Sequence, residues 1–179
     1  MKEVTFITGN QNKANYLFRL LGFSLNHVKL DLDEIQSLDL KEIVEHKVRQ
    51  AYEKVKSPVI VEDVSLEFAA YGRLPGTFIK FFIDDSFETI RLMLAGKTRK
   101  ATARCVFGYF DGEKYKCFES QLNGEIAKMP SGENGFGWDR IFIPQGHSVT
   151  RASLNQEDND KTYQQMKPID QLKDFLEKV

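Results

Sequence analysis

The chain has 179 residues, and 25 Lys+Arg against 26 Asp+Glu leave a formal net charge of −1. One domain over 1–179 is expected at this length, with room for a substantial core, and the near-balance of charge removes any overall electrostatic case for nucleic acid or an anionic membrane. No apolar run approaches the roughly 20 residues that span a bilayer, there is no signal peptide, and Cys105 and Cys117 lack metal-ligand spacing, so a cytoplasmic protein with reduced thiols is expected.

Lys2 to Thr8 reads as a short strand that stops at Gly9-Asn10, after which Ala14, Leu17, Phe18 and Leu21 recur at helical spacing until Gly22. The connecting turn is Thr8-Gly9-Asn10-Gln11-Asn12-Lys13. Gly9 lets the backbone approach a ligand, the helix N-terminus offers free amides to an anion, and Lys13 adds a point charge one turn in. The second glycine and Lys-Ser/Thr pair of a P-loop are missing, so a plain βα turn describes this stretch equally simply. His27 to Leu32 reads as a second strand leading into Asp31, Asp33 and Glu34. Carboxylates like these suit Mg²⁺, which takes one or two protein ligands beside substrate phosphates, although a solvated acidic loop would look the same. Leu38 to Lys56 is an amphipathic helix with Asp39 as N-cap and Leu40, Ile43, Val44, Val48, Ala51 and Val55 on its apolar side. Lys47 lies next to that side, where its stem can carry a charge across apolar surface.

The next stretch, Val59-Ile60-Val61-Glu62-Asp63-Val64-Ser65-Leu66, runs three β-branched residues into two adjacent carboxylates just after Pro58. This is a buried strand whose C-terminal end carries Glu62 and Asp63, and in open α/β sheets that end is where ligands bind. Side chains alternate along a strand and like charges repel, so one carboxylate can face a cleft while the other turns toward a partner on the opposite face. Gly72-Arg73-Leu74-Pro75-Gly76 is a turn-rich break. In the following Phe78-Ile79-Lys80-Phe81-Phe82, the lysine should be fixed by the apolar residues around it. Asp84 to Leu94 reads as a helix ended by Gly96, and Lys100 to Phe110 and Lys114 to Ala127 as long strands joined by a hairpin at Asp111-Gly112. The glycine-rich loop Ser131 to Arg140 holds the lone tryptophan, Trp138. It serves either as a stacking surface for a base or as a buried residue closing the loop. Ile141 to Ile143 is a short strand, Leu154 onward is helical, and Pro168 either breaks that helix or begins the last one, Ile169 to Val179.

In this order the motifs resemble those of the inosine triphosphate pyrophosphatase, or Ham1-like, family over nearly the whole chain. T-x-N-x-x-K is met by Thr8, Asn10 and Lys13; E-x-Q by Glu34 and Gln36; E-D by Glu62 and Asp63. L-P-G-x-x-I-K is met by Leu74 to Gly76, Ile79 and Lys80, and F-G-[YW]-D by Phe136, Gly137, Trp138 and Asp139. The resemblance implies an elongated α/β fold with flanking helices, in which a mixed sheet floors a cleft between two lobes, usually in a homodimer. It also implies hydrolysis of a purine nucleoside triphosphate to the monophosphate and pyrophosphate. By position, Glu34 and Asp63 would bind Mg²⁺ and Asp63 would activate the attacking water. Thr8, Gly9, Asn10, Gln11, Asn12 and Lys13, with Lys47 and Lys80, would hold the triphosphate, and Phe136, Gly137, Trp138 and Asp139 would grip base and sugar. Charge neutralisation and positioning of this kind are most of what phosphoryl transfer requires.

Two departures stand out. Val64 follows Asp63 beside the phosphates, where the family carries Ser or Thr, so a hydroxyl is lost unless Ser65 replaces it. Tyr163-Gln164-Gln165 stands where Ser-His-Arg reads the purine's 6-keto oxygen, and the nearby family lysine falls on Asn159, with Lys161 displaced by two. Three readings follow: an Mg²⁺-dependent pyrophosphatase for non-standard purine triphosphates (ITP, dITP, XTP), the same chemistry with relaxed base specificity through Gln164 and Gln165, or a nucleotide-binding protein with little turnover.

Overall fold

The computed structural model describes residues 3–85 and 87–179. Among them, seven strands form one mixed sheet: β1 (Thr5–Ile7), β2 (Asn26–Val28), β3 (Val59–Phe68), β4 (Pro75–Gly76), β5 (Lys100–Phe110), β6 (Tyr115–Ile126) and β7 (Phe142–Pro144). Its order is β2-β1-β3-β5-β6-β7, with β4 paired to β3. β1 runs parallel to both neighbours, with Phe6 opposite His27 and Ile60, while β4 and β7 are antiparallel to theirs. The expected mixed α/β class is what the chain adopts. The helices are α1 (Gln11–Leu21), α2 (Leu40–Val55), α3 (Ile79–Asp85), α4 (Phe87–Met93), α5 (Gln156–Met166) and α6 (Ile169–Leu176).

The chain divides into two compact units. The first comprises Met1–Asp63, Cys105–Ser120 and Lys167–Val179. Its core is the apolar stripe of α2 laid on the sheet: Leu40, Val44, Val48 and Ala51 against Ile7, Val59, Val61 and Val106. Each larger aliphatic side chain buried this way contributes roughly 1.5–3 kcal/mol. Gly108 permits the contact, since a Cβ there would stand 2.5 Å from Val44 Cγ1. Asp39 caps α2 by accepting from Lys41 N, as its place before the periodic run predicts. Phe175 of α6 meets Tyr109 and Phe118, with ring centroids 4.8 and 5.3 Å apart.

The second unit comprises Val64–Arg104 and Gln121–Met166. Here β4 pairs with the far end of β3 through Leu66 and Gly76, and β7 with β6 through Gly124 and Pro144. Several boundaries differ from expectation. The strand expected over His27 to Leu32 ends at Val28, and the acids after it occupy an irregular segment. The helix expected over Asp84 to Leu94 is the second of two, since α3 already begins at Ile79; Ser86, like Lys2 of the first expected strand, lies outside the described residues. Pro168 begins the last helix, as N-cap of α6.

Candidate active site

β3 runs on to Phe68, because Val64, Leu66 and Phe68 continue its apolar pattern, so Glu62 and Asp63 sit midway along the strand and not at its C-terminal end as expected. In the first unit, β3 delivers these two carboxylates to different lysines. Asp63 Oδ2 accepts from Lys47 Nζ at 2.9 Å, and the same ammonium donates to Glu34 Oε1 at 3.0 Å. Glu62 Oε2 accepts from Lys167 Nζ at 2.9 Å, while Lys13 Nζ lies 3.5 Å from Glu62 Oε1. The alternation expected of adjacent strand residues therefore separates the pair: Glu62 is buried and Asp63 partly exposed. Burial opposes the charges on Lys13 and Lys47, yet the carboxylates of Glu62 and Asp63 around the first, and of Asp63 and Glu34 around the second, hold both pKa values above the ordinary lysine value. Burial likewise works against Glu62, but Lys167 and Lys13 keep its carboxyl below the usual range. Cys105 is buried beside this cluster, and burial, with Glu62 nearby, pushes its thiol pKa well above normal, which disfavours the thiolate.

The turn before α1 differs from expectation. Asn10 caps the helix with its own side chain, whose oxygen accepts from Asn12 N and Lys13 N at 3.0 and 3.3 Å, and Asn10 N donates to Thr8 Oγ1 at 3.1 Å. The amides expected to be open to an anion are thus engaged internally at residues 12 and 13. Thr8 is partly buried, and Gly9, Gln11 and Asn12 are exposed.

Glu34 and Asp63 are the pair of carboxylates expected to hold a metal, and they lie on one lysine. Among the described residues, no group of three or more His, Cys, Asp or Glu side chains is arranged to hold a metal ion, but a pair of carboxylates is what Mg²⁺ takes when phosphates and water complete its shell. The Lys47 ammonium between these two oxygens stands in for such a cation, and the donor set fits it.

In the second unit, Lys80 lies on α3, exposed, with Nζ 5.0 Å from the centroid of the Phe81 ring. Packing does not fix it as expected: helical geometry buries Ile79 and turns Lys80 and Phe81 outward, the latter 60% exposed. Trp138 is buried, 8% exposed, with its ring edge-on to Phe142. Of the two readings of this tryptophan, the loop-closing one is correct. Asp139 is also buried, its Oδ2 accepting from Phe136 N at 2.9 Å and Tyr163 Oη at 2.7 Å, and its Oδ1 from Arg151 at 3.4 Å. Gly135 makes room for this carboxylate, since a Cβ there would meet Asp139 Oδ2 at 2.2 Å. Only Phe136, partly, and Gly137 reach the surface of this motif. Val64 is half-buried and Ser65 is buried. On α5, Tyr163 and Asn159 turn inward, whereas Gln164 and Gln165 are exposed; Lys161 pairs with Glu157 on its own helix at 2.8 Å.

Sequence reading missed Lys167 and Arg151. Arg151 is completely buried, its guanidinium 4.4 Å from the Tyr163 ring centroid and 5.4 Å from that of Trp138.

The model of the Ham1 family matches residues 4–175. The chain is similar to the inosine triphosphate pyrophosphatase of Schizosaccharomyces pombe, 37% identical over 99% of this chain and 96% of that one. It is also similar to inosine triphosphate pyrophosphatase 2 of Trypanosoma cruzi, 40% identical over 96% and 90%. Among solved structures, the Staphylococcus aureus Ham1 protein superposes with a TM-score of 0.79 at 27% identity over 97% and 98% of the two chains. A HAM1 protein from Coxiella burnetii shares the fold, with a TM-score of 0.83 at 23% identity over the whole of both. On these likenesses the chain belongs to the Ham1 family and is a pyrophosphatase, a hydrolase acting on phosphoric anhydride bonds.

Proposed function

We propose that the protein is an Mg²⁺-dependent pyrophosphatase that hydrolyses non-standard purine nucleoside triphosphates (ITP, dITP, XTP) to the monophosphate and pyrophosphate, as a cytoplasmic homodimer. The observation that carries the reading is the Glu34–Lys47–Asp63 cluster, in which one ammonium holds two hard oxygen donors at 3.0 and 2.9 Å. Mg²⁺ held by Glu34 and Asp63 would supply neutralising charge for the phosphate oxygens. Asp63, midway along β3, accepts the proton of the attacking water, and the rigidity of the strand fixes the direction of that transfer. Lys13 offers its charge to the triphosphate from the first turn of α1, and Lys47 keeps the two carboxylates together between turnovers. Thr8 to Asn12, Val64, Lys80 and Phe136 to Asp139 enter the proposal from the family pattern. Within the last group, Phe136 is the side chain able to stack on a base, and Asp139 acts by holding the loop.

Relaxed base specificity is a second reading, carried by the family pattern, in which Gln164 and Gln165 stand where the family has His-Arg; both are exposed, which suits this reading and equally one in which another residue reads the base. Pyrophosphate release from a panel of nucleotides with Mg²⁺ tests all three readings. ITP and XTP should turn over, and Asp63→Asn should lower kcat by about 10²-fold or more with an unchanged melting temperature. Wild-type kcat in that variant would remove Asp63 from the chemistry, and binding without pyrophosphate release would make the protein a nucleotide binder.

A further inference from the structure

Glu62 is a buried carboxylate, 5% exposed, shared by two lysines of unlike exposure. Lys167 is sealed, 2% exposed, in the short link between α5 and α6, and is followed by Pro168, which begins α6. It donates to Glu62 Oε2 at 2.9 Å. Lys13 stands farther off, 3.5 Å from Oε1, and its side chain is 16% exposed on the first turn of α1. Lys167 therefore cannot turn to a ligand arriving from solvent, whereas Lys13 can.

Stripping a buried carboxylate of its counter-ion is heavily unfavourable. If Lys13 alone neutralised Glu62, drawing it away to a phosphate would strand that charge. With Lys167 fixed on the other oxygen, Glu62 stays compensated and Lys13 can change partners. We propose that Lys167 is a positioning residue for the pyrophosphatase reaction, the standing counter-ion of Glu62 that releases Lys13 to the triphosphate. The proposal rests on the functional reading above, in which Lys13 meets the phosphates.

The alternative role, a pin that merely ties the α5–α6 link to the sheet, predicts a loss of stability with unchanged kinetics in the folded protein. The test is steady-state hydrolysis of ITP with Mg²⁺, well below each variant's melting temperature. In Lys167→Met, Glu62 should capture Lys13, and KM should rise about tenfold or more with kcat much less affected. Lys167→Arg, which keeps the charge, should stay within about threefold of wild type. The neutral pair Glu62→Gln/Lys167→Met serves if the single variant does not fold: with no charge on residue 62, Lys13 is not captured and KM should return to within about threefold of wild type. An unchanged KM in folded Lys167→Met, or a tenfold rise in the neutral pair, overturns the inference alone. A wild-type protein that releases no pyrophosphate overturns the functional reading and the inference together.

Discussion

In the first unit, Glu62 is shared by Lys13 and Lys167 at 3.5 and 2.9 Å, with Lys13 still in touch with solvent. In the second, Asp139 takes Arg151 at 3.4 Å, and neither side chain reaches water. Both places bury ions, but the side chains differ. Lysine is a compact charge on a flexible stem that can change partners, while the planar guanidinium of Arg151 lies against the rings of Tyr163, Trp138 and Phe142. In the first of these places, Lys13 can change partners while Lys167 keeps Glu62 compensated. The second fixes the loop that carries Phe136.

The sharpest way to break this distinction is to remove one cation from each place. Arg151→Met leaves Asp139 buried and uncompensated, so unfolding by denaturant should show a loss of about 3–5 kcal/mol, partly recovered in Arg151→Met/Asp139→Asn. Lys13→Met, at a partly exposed site where Lys167 still compensates Glu62, should cost less than half as much and act on hydrolysis instead. Equal losses of stability from the two substitutions would mean that both clusters are structural.

What the sequence disclosed follows the same line. Glu62 and Asp63 were legible as strand residues because a short β-branched run follows Pro58, although the strand continues past them to Phe68, and Lys47 was legible because the period of α2 places it beside the apolar stripe. The lysine that completes the cluster was not legible, since Lys167 meets Glu62 across 105 residues of chain and no local period connects them. Arg151 was hidden for a similar reason: its partners Asp139 and Tyr163 lie 12 residues to one side and, in the next helix, beyond a 3-10 turn. Trp138 could be read as exposed because the glycines around it suit either outcome, and only the packing of Phe142 decides. The end of β2 was misplaced because Leu30 and Leu32 are apolar enough for a strand, yet they pack against the α2 core from an irregular segment.

A smaller effect sharpens the comparison from inside the second unit. Tyr163 Oη donates to Asp139 at 2.7 Å in a buried site, and its ring lies nearly parallel to that of Phe136, 17° between planes and 6.4 Å between centroids. Tyr163→Phe keeps the ring against Arg151 but deletes the hydrogen bond to the carboxylate. Stability should fall by roughly 1.5–3 kcal/mol, with KM for ITP rising if Phe136 loses its position and kcat held by the first unit. A fall in kcat at unchanged KM would contradict this division of work.

The smallest change in stability, and the most specific change in behaviour, is expected at Gln165. The period of α5 buries Thr162, Tyr163 and Met166 and leaves Gln164 and Gln165 exposed, so replacing either disturbs no core and should alter stability by less than about 0.5 kcal/mol. An arginine donates only, and therefore suits a 6-keto oxygen and meets a 6-amino group with the wrong chemistry. A glutamine can donate through its nitrogen or accept through its oxygen, so turning the amide over satisfies either base. The wild type should accordingly hydrolyse ITP and XTP with a narrowed preference over ATP and GTP. Gln165→Arg should widen the ITP-to-ATP ratio of kcat/KM by about tenfold, the value of one charge-assisted contact, which is well below the roughly 10⁴-fold that a complete polar base site can reach. The measurement is kcat/KM for ITP, XTP, dITP, ATP and GTP in both proteins. Strong discrimination already present in the wild type and unchanged by the substitution would show that these glutamines do not read the base, and would shift that task to the surface around Phe136.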